Sequence, residues 1–101
     1  MLVLLACMIS FIQHVNSQVP FTITGTVVDE KGRPLPGTSV FLSPGNIGSV
    51  ANMDGKYSFI GLEPGKYVIH ASFMGYEKYS DTLIVENNIA WDIRLESSLV
   101  D

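Results

Sequence analysis

Chemistry in this chain would have to rest on very few side chains. Histidine occurs twice, at His14 and His70, and cysteine once, at Cys7. A zinc site needs three or four convergent nitrogen or sulfur ligands, and these three residues are scattered along the chain. Nucleophilic catalysis by a serine or threonine hydroxyl needs a neighbouring base and a third group to orient that base. His70 stands alone within a strand pattern, facing solvent beside Val68 and Ser72, with no such arrangement around it. Asn52-Met53-Asp54-Gly55 has the look of a calcium loop, and Asp29, Asp81 and Asp92 could add oxygens from elsewhere. A calcium loop, however, places Asp or Asn at its first, third and fifth positions and a bidentate Glu at the twelfth. The fifth position here is Lys56, whose ammonium competes with the ion. Asn and Asp beside Gly tolerate left-handed backbone angles, so the four residues read as a plain turn. The sequence therefore assigns no catalytic, cofactor-binding or metal-ligating residue, and no cofactor is expected.

The charges say what the chain does not bind. Ten acidic residues against six basic ones give a net charge of −4, and all of them follow Gln18 with both signs interspersed. Nucleic-acid phosphates demand a basic face, so a nucleic-acid partner is excluded. The first twelve residues, Met1 to Ile12, are apolar or small and carry no charge. As a helix they would reach only about 18 Å, against a hydrocarbon core of roughly 30 Å. Polar residues follow at once, and Val15-Asn16-Ser17 puts a small residue at a cleavage site. Residues 1–17 thus read as a signal peptide without its usual basic start, and the mature segment holds no transmembrane span. Leu4-Leu5-Ala6-Cys7 also looks like a lipobox, which would instead make Cys7 a lipidated N-terminus. Under the first reading Cys7 and His14 leave with the signal. What remains, roughly 84 residues, suffices for one small domain stabilised by packing rather than disulfides.

The elements that position the remaining side chains follow from periodicity. Alternation with a period of two recurs through the mature segment, and no stretch shows the spacing of an amphipathic helix. In the first strand Phe21, Ile23, Gly25 and Val27 share a face; the second turns Val40 and Leu42 inward; Ile47 to Ala51 forms a short third. Asn52 to Gly55 then reads as a hairpin turn into a strand with Tyr57 and Phe59 inward. Glu63-Pro64-Gly65-Lys66 reads as a type II turn with Gly65 at the position of positive φ. The next strands turn Tyr67, Ile69, Ala71 and Phe73, then Leu83 and Val85, inward. The last has the cleanest alternation, with Ile89, Trp91, Ile93 and Leu95 on one face, which predicts Trp91 in the core. Seven such strands at intervals of about 8–12 residues predict an all-β fold, a seven-stranded antiparallel sandwich. Its bounds are residues 21–96, between a linker at 18–20 and a tail at 97–101.

The turns themselves carry a resemblance. Ile23-Thr24-Gly25-Thr26-Val27-Val28-Asp29, Gly32-Arg33-Pro34-Leu35-Pro36-Gly37-Thr38-Ser39-Val40, Asn52-Met53-Asp54-Gly55-Lys56-Tyr57, Leu62-Glu63-Pro64-Gly65-Lys66-Tyr67 and Gly75-Tyr76 occur in an order and spacing that resembles the carboxypeptidase regulatory-like domain. The resemblance implies a transthyretin-like (prealbumin-like) sandwich in which Gly32, Pro34, Gly37, Asp54, Gly55, Pro64, Gly65 and Gly75 are structural turn residues. That family commonly has Ala where this chain has Thr38. It also often forms the N-terminal extension of SusC-like, TonB-dependent outer-membrane receptors of Bacteroidota. The resemblance thus implies an exported, non-enzymatic accessory module of the periplasm or outer membrane. Its partner would be another polypeptide, such as the plug and barrel of a receptor or a surface lipoprotein. Residues 1–101 hold neither plug nor barrel, so the expectation is a truncated or fragmentary receptor. The alternative is a free-standing carbohydrate- or surface-associated sandwich.

One feature of the strands points to where a partner would sit. Val28, Phe41, Ile60, Val68 and Ile84 fall out of phase with the inward positions, on faces that antiparallel sheets usually keep polar. Scattered outward apolar residues are common in sandwiches because they suit strands. Adjoining ones form a docking patch, and Phe41, Ile60, Val68 and Ile84 are the candidates for it.

Overall fold

The computed structural model describes residues 20–98, and the signal peptide assigned to residues 1–17, with Cys7 and His14, lies outside them. Eight strands follow in chain order: β1 Phe21–Val28, β2 Ser39–Ser43, β3 Ile47–Val50, β4 Lys56–Leu62, β5 Gly65–Ser72, β6 Tyr79–Val85, β7 Ile89–Ala90 and β8 Ile93–Arg94. They form two sheets. In the first, β1 pairs antiparallel with β4 on one side and parallel with both β7 and β8 on the other. The second has the order β3-β2-β5-β6, antiparallel throughout.

The inner faces follow the alternation. Ile23 and Val27 of β1, Tyr57, Phe59 and Leu62 of β4, and Ile93 on β8 meet Val40 and Leu42 of β2, Ile69 and Ala71 of β5, and Leu83 and Val85 of β6 in one buried cluster. Removing one such side chain from water contributes about 1.5–3 kcal/mol. Thr38 is fully buried too, and its hydroxyl donates to the Leu35 carbonyl at 2.9 Å, so the hydroxyl leaves no unsatisfied polar atom inside.

Three places depart from the simple strand reading. The expected last strand is broken into β7 and β8, because the chain at Trp91 crosses over Gly25. A Cβ on Gly25 would lie 1.8 Å from the Trp91 carbonyl oxygen, so only a glycine admits this crossing. The two short pieces run parallel to β1, which makes the first sheet mixed and the strand count eight. Trp91 is consequently half-buried at the margin of the core rather than within it, and its indole N–H donates to the Tyr79 hydroxyl at 3.0 Å.

Secondly, Asn52 to Gly55 is not a hairpin turn. β3 and β4 lie in different sheets, and the turn carries the chain across the sandwich. Its Gly55 carbonyl accepts from the Val27 N–H of β1 at 2.7 Å, which ties the turn to the opposite sheet.

Thirdly, Gly65 is not the central residue of a type II turn. Its φ is 156°, far from the value near +80° such a turn needs, and it opens β5 opposite Val85. The positive φ near this corner sits at Gly61, 69°, where β4 carries one residue more than β1 between paired positions. That bulge restores Leu62 to the inward phase after Phe59, and it leaves Ile60 outside.

Candidate functional site

The turns that carry the family resemblance are built by side chains that accept hydrogen bonds from their own backbone. Asp29 Oδ1 accepts from the N–H groups of Lys31 and Arg33 at 2.8 and 2.9 Å, and its Oδ2 from Arg33 Nε at 3.0 Å. The Arg33 backbone N–H does most to hold this carboxyl below its ordinary range; Lys31 N–H and the guanidinium add to that, and burial works against it. Gly32, with φ of 81°, closes the same turn, and Pro34 follows as an isolated bridge to Val28. Asn52 Oδ1 accepts from the N–H groups of Asp54 and Lys56 at 2.9 and 3.0 Å. Gly37, Gly55 and Gly75 have φ of 88°, 77° and 90°. Pro64 lies in the bend between β4 and β5.

The acidic residues that could have gathered around a cation are separated and engaged. Asp92 Oδ1 accepts from the Thr26 N–H at 2.9 Å, and Asp81 Oδ1 from the Thr82 N–H at 2.8 Å. Among the described residues no three His, Cys, Asp or Glu come together in a way that could hold a metal ion. The Tyr57 hydroxyl donates to the Trp91 carbonyl beneath the crossing at Gly25. Burial pushes the Tyr57 phenol well above the ordinary tyrosine range, and the Asp92 carboxylate and Tyr79 push the same way.

The outward apolar residues divide between the two sheets. Phe41, Val68 and Ile84 lie on the outer face of β3-β2-β5-β6, 38% exposed, half-buried and 55% exposed respectively. Ile60, 78% exposed, sits on β4 in the other sheet and joins no patch with them. Phe41 lies opposite His70 in the β2–β5 register, and the two rings stack with centroids 4.5 Å apart and planes 13° apart. His70 Nε2 is also 3.2 Å from the Ser43 hydroxyl. The histidine is therefore on the outer face but half-covered, with its ring fixed by two neighbours. On the other side of Phe41 the paired residue is Gly48, which has no side chain to cover the ring.

Beside this stack is a depression of about 300 Å³ lined by Phe41, His70, Ala71, Ser72, Lys78, Tyr79 and Ser80. A second depression adjoins it, sharing Ser72 and Lys78 and reaching Phe73, Met74 and Tyr76. Phe73 and Tyr76 have ring centroids 5.9 Å apart, and Met74 is 94% exposed. Sequence periodicity did not single out Gly48, Lys78, Met74 or Tyr76. The last three lie in or beside the turn at Gly75, and the register of β2, β5 and β6 brings Lys78 to the depression that Phe41 lines.

Comparison with known proteins agrees with this architecture. Residues 23–100 match the CarboxypepD_reg-like domain family. A TonB-dependent receptor of Formosa agariphila is 32% identical over 88 residues, which is 87% of this chain and 8% of the receptor's length. Among solved structures, a DUF3823 family protein from Bacteroides ovatus superposes with a TM-score of 0.64 at 22% identity, over 76% of this chain and 44% of that one. Hydroxyquinol 1,2-dioxygenase from Pseudomonas putida superposes with a TM-score of 0.68 at 12% identity, over 83% of this chain and 58% of the enzyme, a likeness of fold alone. The sandwich, the turn motifs and the match over residues 23–100 together place the chain in the carboxypeptidase regulatory-like domain family.

Proposed function

We propose that this domain is a non-enzymatic accessory module of the bacterial envelope, exported by residues 1–17, that works by contact with another polypeptide. The plug and barrel of a TonB-dependent receptor or a surface lipoprotein is the kind of partner intended. The observation that carries the proposal is the outer face of the β3-β2-β5-β6 sheet, which carries Phe41, Val68 and Ile84 together with the Phe41–His70 stack. These side chains lie outside the domain's buried core, and an apolar surface of this kind gains by being covered. The receptor relative supports the same reading, because there the matching stretch is a small part of a much longer polypeptide. A non-enzymatic role is consistent with the polar side chains, since Asp29, Asn52 and Asp92 accept hydrogen bonds that shape the backbone.

A photo-cross-linking residue placed at 41 and, separately, at 60 tests the proposal in the intact envelope. Position 41 should give an adduct with a receptor or surface-lipoprotein chain identified by mass spectrometry, and position 60 should give none. Polypeptide adducts absent at 41, or equal at both positions, would overturn it. Glycan adducts alone at 41 would favour the carbohydrate-associated alternative.

A further inference from the structure

The electrostatics of the two adjoining depressions carry the reading one step further. The chain as a whole has a net charge of −4. Neither depression has an Asp or Glu among its described lining residues. Both are lined by Lys78, which makes no ion pair among the described residues. Ser72 also lines both depressions; the stacked Phe41 and His70 line one of them, and Met74 and Tyr76 line the other. In a chain of net negative charge, Lys78 is the one lysine or arginine among the described residues that line either depression, and apolar and aromatic side chains line both. Opposite potentials of this kind fix the register of a contact more than its raw affinity.

Resting on the contact reading above, we infer that the carboxylate-free groove around Lys78 takes an acidic segment of a polypeptide. In it a carboxylate lies against Lys78 and a neighbouring aliphatic or aromatic side chain lies on the Phe41–His70 stack or against Met74 and Tyr76. Met74 suits such a site, because an exposed thioether adapts to differing apolar partners.

Panning a random dodecapeptide library on the full chain purified from the envelope, followed by fluorescence anisotropy with the selected peptides, tests the inference. Selected peptides should combine Asp or Glu with a large apolar residue, and their affinity should fall as salt is raised. Lys78→Glu, at an exposed position, should leave the melting temperature unchanged, weaken those peptides at least tenfold and turn a repeated selection towards Lys and Arg. Phe41→Ser should weaken them as well. Peptides without acidic preference, or acidic ones indifferent to Lys78→Glu, would overturn the groove while leaving cross-linking at position 41 to judge the contact reading by itself. Displacement of the peptides by a hexuronate oligosaccharide at lower concentration than the peptides themselves would assign the groove to acidic carbohydrate and overturn the inference. An empty selection also overturns it.

Discussion

Gly25→Ala strikes the point where the first sheet is held together. The added Cβ would lie 1.8 Å from the Trp91 carbonyl oxygen, 2.6 Å from its carbon and 2.8 Å from Tyr57 Cε1. None of these is the end of a flexible side chain, so the segment joining β7 to β8 must lift away from β1. Three hydrogen bonds depend on its present position: Trp91 N–H to the Thr24 carbonyl at 2.7 Å, Thr26 N–H to Asp92 Oδ1 at 2.9 Å, and the Tyr57 hydroxyl to the Trp91 carbonyl. Each contributes about 0.5–1.5 kcal/mol net, and overpacking costs a further ~1–3 kcal/mol. Replacing a strand glycine by alanine returns roughly 0.5–1 kcal/mol through the unfolded chain. The expected net loss is about 1.5–7 kcal/mol, a large share of the ~5–15 kcal/mol typical of a domain. Urea unfolding followed by Trp91 fluorescence reads this directly. With a slope near ~1 kcal/mol/M for so small a domain, the midpoint should fall by about 1.5 M or more. Tyr57→Phe supplies the internal check. Alone it should cost about 1–2 kcal/mol, and in the Gly25→Ala background close to nothing, since the bond it removes is already broken. A Gly25→Ala midpoint within ~0.5 M of the parent's, with the Tyr57→Phe cost unchanged in that background, would refute the crossing.

Three further outcomes are expected. Because the Asp29 carboxyl is held below its ordinary range in the fold, its contribution to stability is present above the usual aspartate pKa and is lost as pH falls through the folded value; Asp29→Asn should lower stability at neutral pH and flatten the acid limb of a melting-temperature profile. The Tyr57 phenol is shifted the other way, so the unfolded chain ionises first and stability should decline as pH rises above about 10; a spectrophotometric titration should find Tyr57 silent until the protein unfolds, and Tyr57→Phe should remove that step. Trp91 is half-buried, so Trp91→Ala should cost about 2 kcal/mol rather than the ~3–5 of a fully buried tryptophan, and iodide should quench its fluorescence in part.

Much of the sandwich is legible in the chain because side-chain direction in a strand is a local property. Val40 and Leu42, Tyr57 and Phe59, Ile69 and Ala71, Leu83 and Val85 recur at every second position, and each pair points into the core whatever the strands pair with. Turn chemistry is local for the same reason: Asp29 reaches N–H groups two and four residues away, and Asn52 does the same.

Which strands are neighbours is not local, and two features of the chain depend on it. Asn52-Met53-Asp54-Gly55 has the chemistry of a hairpin turn, but whether β4 pairs with β3 or crosses to β1 is decided by which sheet can bury Tyr57 and Phe59. Trp91 keeps the phase of Ile93 and Leu95 in the sequence, yet the passage of its backbone over Gly25, 66 positions earlier, interrupts the strand and carries the indole to the margin. The candidate site divides in the same way. That Phe41, Val68 and Ile84 face outward is written in their alternation, and so is the exposure of Ile60. That the first three share a surface, that Phe41 stacks on His70 beside the bare Gly48, and that Lys78 stands alongside was decided by the register of β2 against β3 and β5, and of β5 against β6. Register is set by burying both inner faces at once, a condition on the whole sandwich that no single strand contains.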